Sequence, residues 1–313
     1  MRRRSMGVMT VRGPIDTAQL GLCYAHEHLF FDLWECADRP GSLYQDPGLT
    51  MRELAPFVAA GGKAIVDVTA SWPAIGRNPE GLLRVAEELD LHIVMATGFY
   101  LPSFNRDSSF VHRSSVDELA DSLVEEIDHG WGRTGIRPGV LKIATQYGYI
   151  SPTEERALRA VARAHRRTGV PITTHAELFS GLGLRQLALF AEEGVDPRNV
   201  VIGHCGTLLD VEYIAAVCET GAFAAFDTVG RSDMLPDEAV SDVIAELVRR
   251  GFGNRLLLSM DVCQRQHMAA LGGPGWGYLL NGFVPLLISR GIDRATVDTM
   301  LIDNPARAFA LAD

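Results

Sequence analysis

The feature that most restricts the fold is a repeat: eight short apolar runs, each followed by a stretch with helical spacing. The runs are Leu20–Ala25, Ala64–Thr69, His92–Thr97, Gly139–Thr145, Pro171–His175, Val200–His204, Ala222–Asp227 and Arg255–Asp261. They are apolar on both faces, as strands of a parallel sheet covered on both sides must be. Between and after them the spacing predicts helices over Leu54–Ala60, Pro79–Leu89, Val116–Ile127, Pro152–Thr168, Leu184–Glu193, Leu209–Glu219, Asp237–Arg249 and Tyr278–Ser289, with a last one near Asn304–Ala310. The Pro152–Thr168 stretch carries its own punctuation, with Ser151 as N-cap, Glu154 three residues on and Gly169 as the stop. The connection Asp38–Gly48 is too rich in polar and turn residues to be core. Eight such β/α units close most simply into a (β/α)8 TIM barrel. With no Pro/Ser-rich linker, residues 1–313 are expected to form a single α/β domain. No Gly-x-Gly-x-x-Gly follows the first run and no Walker sequence is present, so a doubly wound nucleotide-binding sheet is the weaker alternative.

Composition removes several functional classes. A net charge of −10 without a long basic stripe argues against a nucleic-acid partner. No stretch approaches the roughly 18 uninterrupted apolar residues of a membrane span. The Arg-rich start Met1–Arg4 leads into Thr10-Val-Arg-Gly-Pro14 rather than an apolar segment, so it does not read as a signal peptide. The five cysteines, Cys23, Cys36, Cys205, Cys218 and Cys263, are odd in number, scattered and without a CxxC pair, which suits a reduced cytoplasm.

The chemistry gathers at the ends of the apolar runs. In Ala25-His26-Glu27-His28 the alternation of a strand turns His26 and His28 to one face, ~7 Å apart, with Glu27 on the other. A lone His-x-His is as often two structural histidines as a metal site. Here, however, His175, His204 and Asp261 each end a run, and Lys142 lies inside another. Taken singly, a buried strand lysine usually pairs with a carboxylate and a strand-end aspartate often caps the next helix. Together they fall on the C-terminal face of the barrel, where such folds carry their active sites. His92, His112, His129 and His165 lie at strand starts, in loops or on helices and read as non-ligands, while His267 is open between a structural role and contact with a substrate.

At these residues the chain resembles the phosphotriesterase family of the amidohydrolase superfamily, over essentially its whole length. The resemblance is carried by Thr10-Val-Arg-Gly-Pro-Ile15, Leu20-Gly21, His26-Glu-His28, Thr97-Gly-Phe-Tyr100, Lys142, Thr174-His175, Gly203-His204, Ser259-Met-Asp261 and Asn304-Pro-Ala-Arg307. It implies a binuclear centre of two divalent ions. His26, His28 and Asp261 would hold the more buried ion and His175 and His204 the more exposed one. Lys142, carboxylated by CO2, would bridge both together with a hydroxide. Imidazole-rich ligation favours Zn2+, and the mixed N/O set also fits Mn2+, Co2+ or Fe2+. Asp261 would accept the proton of the attacking hydroxide.

The resemblance also matches Tyr100 to a tyrosine that lies over the metal pair in lactonase-like relatives; a tyrosine packed at a loop base is the plainer alternative. Arg231 suits a substrate carboxylate or an ordinary ion pair. The paraoxon-hydrolysing members carry an acidic residue and a histidine where this chain has Thr207 and Thr228. The Gly-rich loop Gln264–Gly277 resembles the branch acting on sugar lactones and their phosphates, yet the phosphate-gripping places there are Asp233, Gln264 and His267. The expected activity is hydrolysis of a small lactone or carboxylate ester, with promiscuous organophosphate hydrolysis. The alternatives are an amidohydrolase acting on an N-acyl amino acid or similar amide, and a phosphorylated sugar lactonase. A non-catalytic barrel is disfavoured because all six metal positions are intact. The partner is a small-molecule substrate, and the family implies a homodimer.

Overall fold

The computed structural model describes residues 7–34, 39–72, 74–104 and 109–312. The segment Met1–Arg4, Cys36 and Asp38 lie outside the described residues.

Eight parallel strands run in chain order around a nearly closed barrel, with helices between them. They are Cys23–Glu27, Ala64–Asp67, His92–Phe99, Val140–Thr145, Ile172–Ala176, Val200–Ile202, Phe223–Phe226 and Leu256–Leu258, hereafter the first to the eighth. The architecture is the (β/α)8 TIM barrel that the repeat predicts. Small and branched side chains such as Cys23, Ala25, Val66, Val94, Ala96, Val140 and Ala225 fill the barrel interior, and a larger cluster lies between barrel and helices. The first and eighth strands meet through a side chain: Ser259 Oγ accepts from His26 N at 3.0 Å and donates to Glu27 Oε1 at 2.6 Å. Glu27 is fully buried and also accepts from Met260 N, Val262 N and Trp276 Nε1. It thereby fastens the chain around Asp261 to the first strand.

Several elements depart from the sequence reading in informative ways. The helix expected from Leu54 begins at Pro47, because Asp46 accepts from Gly48 N as an N-cap and the proline takes the first-turn position where its missing N–H costs nothing. The helices Pro152–Thr168 and Asp237–Arg249 have the expected bounds. The stretch from Leu279 opens with a π turn before Val284–Ser289, and a further helix, Arg294–Asp298, precedes the last one, Asn304–Ala308. A hairpin of Gly7–Thr10 and Gly13–Asp16 precedes the barrel, and its Val8 joins the interior cluster.

Two of the strands that lead to the unusual residues end early. The sixth stops at Ile202 and the eighth at Leu258, short of His204 and Asp261. Both residues adopt left-handed backbone angles, φ 59° and 49°. This conformation is rare outside glycine, asparagine and aspartate, and it turns each side chain off the ladder.

Candidate active site

His26 and His28 face the same way, with ring centroids 6.1 Å apart. The register of the first strand shifts between Tyr24 and Glu27. That irregularity, which sequence alternation does not reveal, lets both Ala25 and His26 turn toward the barrel interior, the re-aiming that a β-bulge produces. His28 Nε2 lies 3.4 Å and His26 Nε2 3.9 Å from Asp261 Oδ1. His204 Nε2 faces His175 Nδ1 at 2.8 Å. Lys142 Nζ stands 3.2 Å from His26 Nε2. All six sequence-identified residues are therefore buried together at one end of the barrel.

Close backbone packing brings Lys142 there. Gly98, at φ +141°, pairs with Lys142, and a Cβ at that position would lie 1.9 Å from the Lys142 carbonyl oxygen. Only glycine allows the third and fourth strands to approach this closely. Lys142 is 1% exposed and, among the described residues, no carboxylate lies within ion-pair distance of it. This removes the ordinary explanation of a buried strand lysine. Burial lowers its amine to about 8, against the opposing charges of Asp261 and Asp227.

A second layer orients the imidazoles. The Asp227 carboxylate, fully buried, spans two rings: Oδ1 lies 2.9 Å from His204 Nδ1 and Oδ2 2.9 Å from His26 Nδ1, and both oxygens accept from His204 N. Each ring is left presenting Nε2, the arrangement by which outer carboxylates fix metal-binding histidines. His28 Nδ1 lies 2.8 Å from Thr69 Oγ1, and Asp67 holds that region by accepting from Leu29 N and Thr69 N. His175 Nε2 lies 3.2 Å from Glu177 Oε2. Nothing in the sequence alone marks Thr69 or Glu177 for this role. The one available signal was Asp227's place at the end of an apolar run.

The electrostatics follow from burial and these partners. Burial, reinforced by the nearby lysine charge, lowers His26 to about 3; burial, reinforced by His204, lowers His175 to about 4. Burial also works against the protonated form of His204, but Asp227 outweighs it and raises that imidazole. Burial disfavours the Asp261 carboxylate, yet the hydrogen bond from His28 and the charges of His26 and His204 hold it well below the usual range. Burial pushes the Tyr100 phenol well above its ordinary value, so it remains a donor.

One consequence concerns the metal-free protein. An unfolded chain takes up protons on His26 and His175 near pH 6.5, whereas the folded chain resists until about 3 to 4. Stability of the chelator-treated protein is therefore expected to fall progressively as pH drops from about 6.5 toward 4. The depressed Asp261 acts in the same direction and the raised His204 in the opposite one. Melting temperature measured against pH in chelator checks this; a Tm that rises on acidification contradicts it.

Above these residues is a cavity of about 100 Å³, lined among others by His28, Lys142, His175, His204 and Asp261, with Tyr100, Arg231 and Gln264 on its walls. Tyr100 meets His175 edge-on at 5.2 Å. Arg231 is buried, its Nη1 3.9 Å from Asp261 Oδ2 and its Nε 3.5 Å from Asp233 Oδ1; that Nε makes no hydrogen bond among the described residues. His267 is buried but does not line the cavity. Of the histidines read as non-ligands, His165 bonds the Val170 carbonyl and His129 is exposed.

The sequence model of the phosphotriesterase family matches residues 6–309. The phosphotriesterase homology protein of Escherichia coli strain K12 is 37% identical over 290 residues, covering 92% of this chain and 98% of its own. A lactonase from Listeria monocytogenes superposes with a TM-score of 0.91 at 30% identity, covering 98% of this chain and 100% of its own. An N-acetyltaurine hydrolase of Salmo salar is 27% identical over 341 residues, covering 96% and 97%.

Proposed function

The chain belongs to the phosphotriesterase family and is a metal-dependent hydrolase, and from that premise we propose that it hydrolyses a small lactone or carboxylate ester at a binuclear centre. The observation that carries the reading is the convergence of four imidazoles, a buried lysine with no carboxylate in ion-pair reach among the described residues, and Asp261 beneath one small cavity. The donor chemistry fits the metal. Tetrahedral sites with bonds of about 2.0–2.1 Å have donor–donor edges of roughly 3.4 Å. The donor atoms of His26, His28 and Asp261 all lie within 4.8 Å of one another, and His28 and Asp261 are 3.4 Å apart. These three would hold one ion and His175 and His204 the other, with Lys142 as a carbamate spanning both; Zn2+ suits the imidazoles best, and Mn2+, Co2+ or Fe2+ also fit. A bound pair of divalent ions lowers the pKa of water and polarises a carbonyl oxygen.

The chain's own residues do the rest. Asp261 takes the proton of the attacking water and returns it to the leaving oxygen. Tyr100 donates a hydrogen bond to the substrate oxygen, and Arg231 holds a substrate carboxylate. Asp233 beside Arg231 opposes a phosphate group there, which disfavours the phosphorylated sugar lactone. Asp227 keeps His26 and His204 in the tautomer that leaves Nε2 free.

A second reading, cleavage of an N-acyl amino acid or related amide, is favoured by the buried Arg231 on the cavity wall and by the relative named N-acetyltaurine hydrolase. We place the enzyme in the cytoplasm on its buried free thiols Cys23, Cys205 and Cys218, and read residues 1–313 as one catalytic domain; a homodimer rests on the family resemblance alone. Among the described residues no helix is long and apolar enough to cross a membrane.

The test is a parallel screen of unphosphorylated and phosphorylated lactones, short carboxylate esters, N-acyl amino acids and paraoxon with protein purified without chelator. Lactone or ester turnover at kcat/KM above about 10⁴ M⁻¹s⁻¹, with paraoxon far below, is the expected result. Turnover confined to N-acyl amino acids replaces the first reading with the second, and inertness toward all carbonyl substrates overturns both.

A further inference from the structure

The reaction cavity opens into a wider groove that the chemistry above does not use. At about 100 Å³ the inner cavity is far below the ~300–1,000 Å³ of sites that enclose a drug-sized molecule. The outer groove measures about 670 Å³ and shares Arg39, Tyr100, Glu177 and Leu178 with the inner one. A substrate larger than the reacting group can extend into it.

Five rings line it, Tyr100, Phe104, Tyr147, Tyr149 and Phe179, from the loops after the third, fourth and fifth strands, with Arg39, Gln146 and Glu177 as its polar part. Three of these are held in water, Tyr147 at 64%, Tyr149 at 62% and Phe179 at 44% exposure. Tyr100 and Phe104 stack at 5.5 Å with planes 9° apart. Phe179 also sits at φ 63°, a conformation that costs a bulky residue free energy. Its N–H donates to Thr207 Oγ1 at 3.1 Å, and Thr207, buried, donates to the His204 carbonyl at 2.8 Å. The strained turn is thus anchored to the backbone of a residue that lines the reaction cavity. A loop that only connected two elements would relieve the strain with glycine and bury or discard the ring. Thr207 stands where the paraoxon-hydrolysing members carry an acidic residue; here its hydroxyl serves this anchor.

We propose that the groove is a second substrate subsite that takes a flat aromatic group attached to the reacting ester or lactone. The inference rests on the reading of the inner cavity as the site of reaction. An aromatic group is favoured over a flexible alkyl chain because five ring-bearing side chains line the groove against two leucines, Leu101 and Leu178. A well-placed ring pair contributes about two- to tenfold in binding beyond area burial.

The experiment compares ethyl, 2-phenylethyl and 2-(2-naphthyl)ethyl acetates, whose leaving alcohols are of similar acidity, so that the ratio of kcat/KM reports the subsite. The expected aryl-to-ethyl ratio is about tenfold or more, falling toward one in the Tyr147→Ser/Tyr149→Ser double variant and in Phe179→Gly. Glycine accepts the left-handed angle, so Phe179→Gly should melt no lower than wild type, which separates loss of the subsite from loss of the fold. Calorimetric binding of 2-(2-naphthyl)ethanol supplies a readout without turnover and should weaken at least about fivefold in both variants. A wild-type ratio near one, or alcohol binding unchanged in both variants, overturns the subsite. If none of the three esters is hydrolysed, the ester reading fails on its own, and alcohol binding alone decides the groove.

Discussion

Asp261→Asn is expected to lower kcat by about 10²–10⁴, the range for loss of a positioned general base, while the protein keeps most of its fold stability. The fold stays intact for local reasons. Asp261 holds a left-handed backbone angle of φ 49°, and asparagine is among the few residues that share aspartate's tolerance of that region. Asp261 N donates to the His26 carbonyl through the backbone, so the substitution leaves the bond from the end of the eighth strand to the first in place. Glu27, which fastens Met260 N and Val262 N on either side, is also untouched. What changes is the carboxylate held strongly acidic by His28 and its neighbours, and with it the group that accepts the water's proton. Because Asp261 is also proposed to hold an ion, metal content is measured alongside kcat and the rate is expressed per loaded site. Turnover near that of wild type on the true substrate would remove Asp261 from the mechanism.

The fold was legible because its signals are local and repeated. Ser151, Glu154 and Gly169 mark both ends of Pro152–Thr168, and the structure realises the capping box and a left-handed stop at φ 73°. Eight apolar runs could not all be edge strands, and a closed parallel barrel is the arrangement that hides every one. The start of the helix at Pro47 is not legible because Asp46-Pro47-Gly48 carries the same residues as a turn, and only the geometry separates a cap from a loop. The π turns at Leu279–Phe283 and Thr299–Asp303 add a residue per turn, which a 3.6-residue periodicity blurs rather than reveals.

At the site, imidazoles and a lysine at the ends of apolar runs stand out because such runs seldom hold polar groups. Their supporting partners do not stand out. Asp227 reads in sequence as one more strand-end aspartate able to cap a helix, and only its burial against Nδ1 of two histidines gives it a task. The bulge that brings Ala25 and His26 to one side leaves no mark in the sequence, since it is set by pairing with the neighbouring strand.

Lys142→Ala should abolish metal binding and reduce activity by roughly 10³-fold or more, the several kcal/mol of charge stabilisation that a metal site supplies. An ammonium cannot bind cations, so the prediction hinges on the amine becoming an anion. The surroundings favour that change. Lys142 is buried with no carboxylate in ion-pair reach among the described residues, burial brings its amine to about 8, and a neutral amine is the form that adds CO2. The resulting carbamate offers two oxygens next to His26 Nε2, which stands 3.2 Å from Nζ. Truncation to alanine leaves a space the length of that side chain, and formate, acetate or propionate supplied at millimolar concentration should enter it and restore part of both metal content and turnover. Lys142→Glu, which supplies two oxygens without CO2, should retain more metal than Lys142→Ala and lose the dependence on bicarbonate. Elemental analysis of each protein, reconstituted with and without bicarbonate, decides the matter. About two divalent ions per wild-type chain only when bicarbonate is present, and none in Lys142→Ala without added carboxylate, is the expected pattern. Unchanged metal content in Lys142→Ala would mean that the histidines and Asp261 hold their ions unaided, and the bridging role of Lys142 would be wrong.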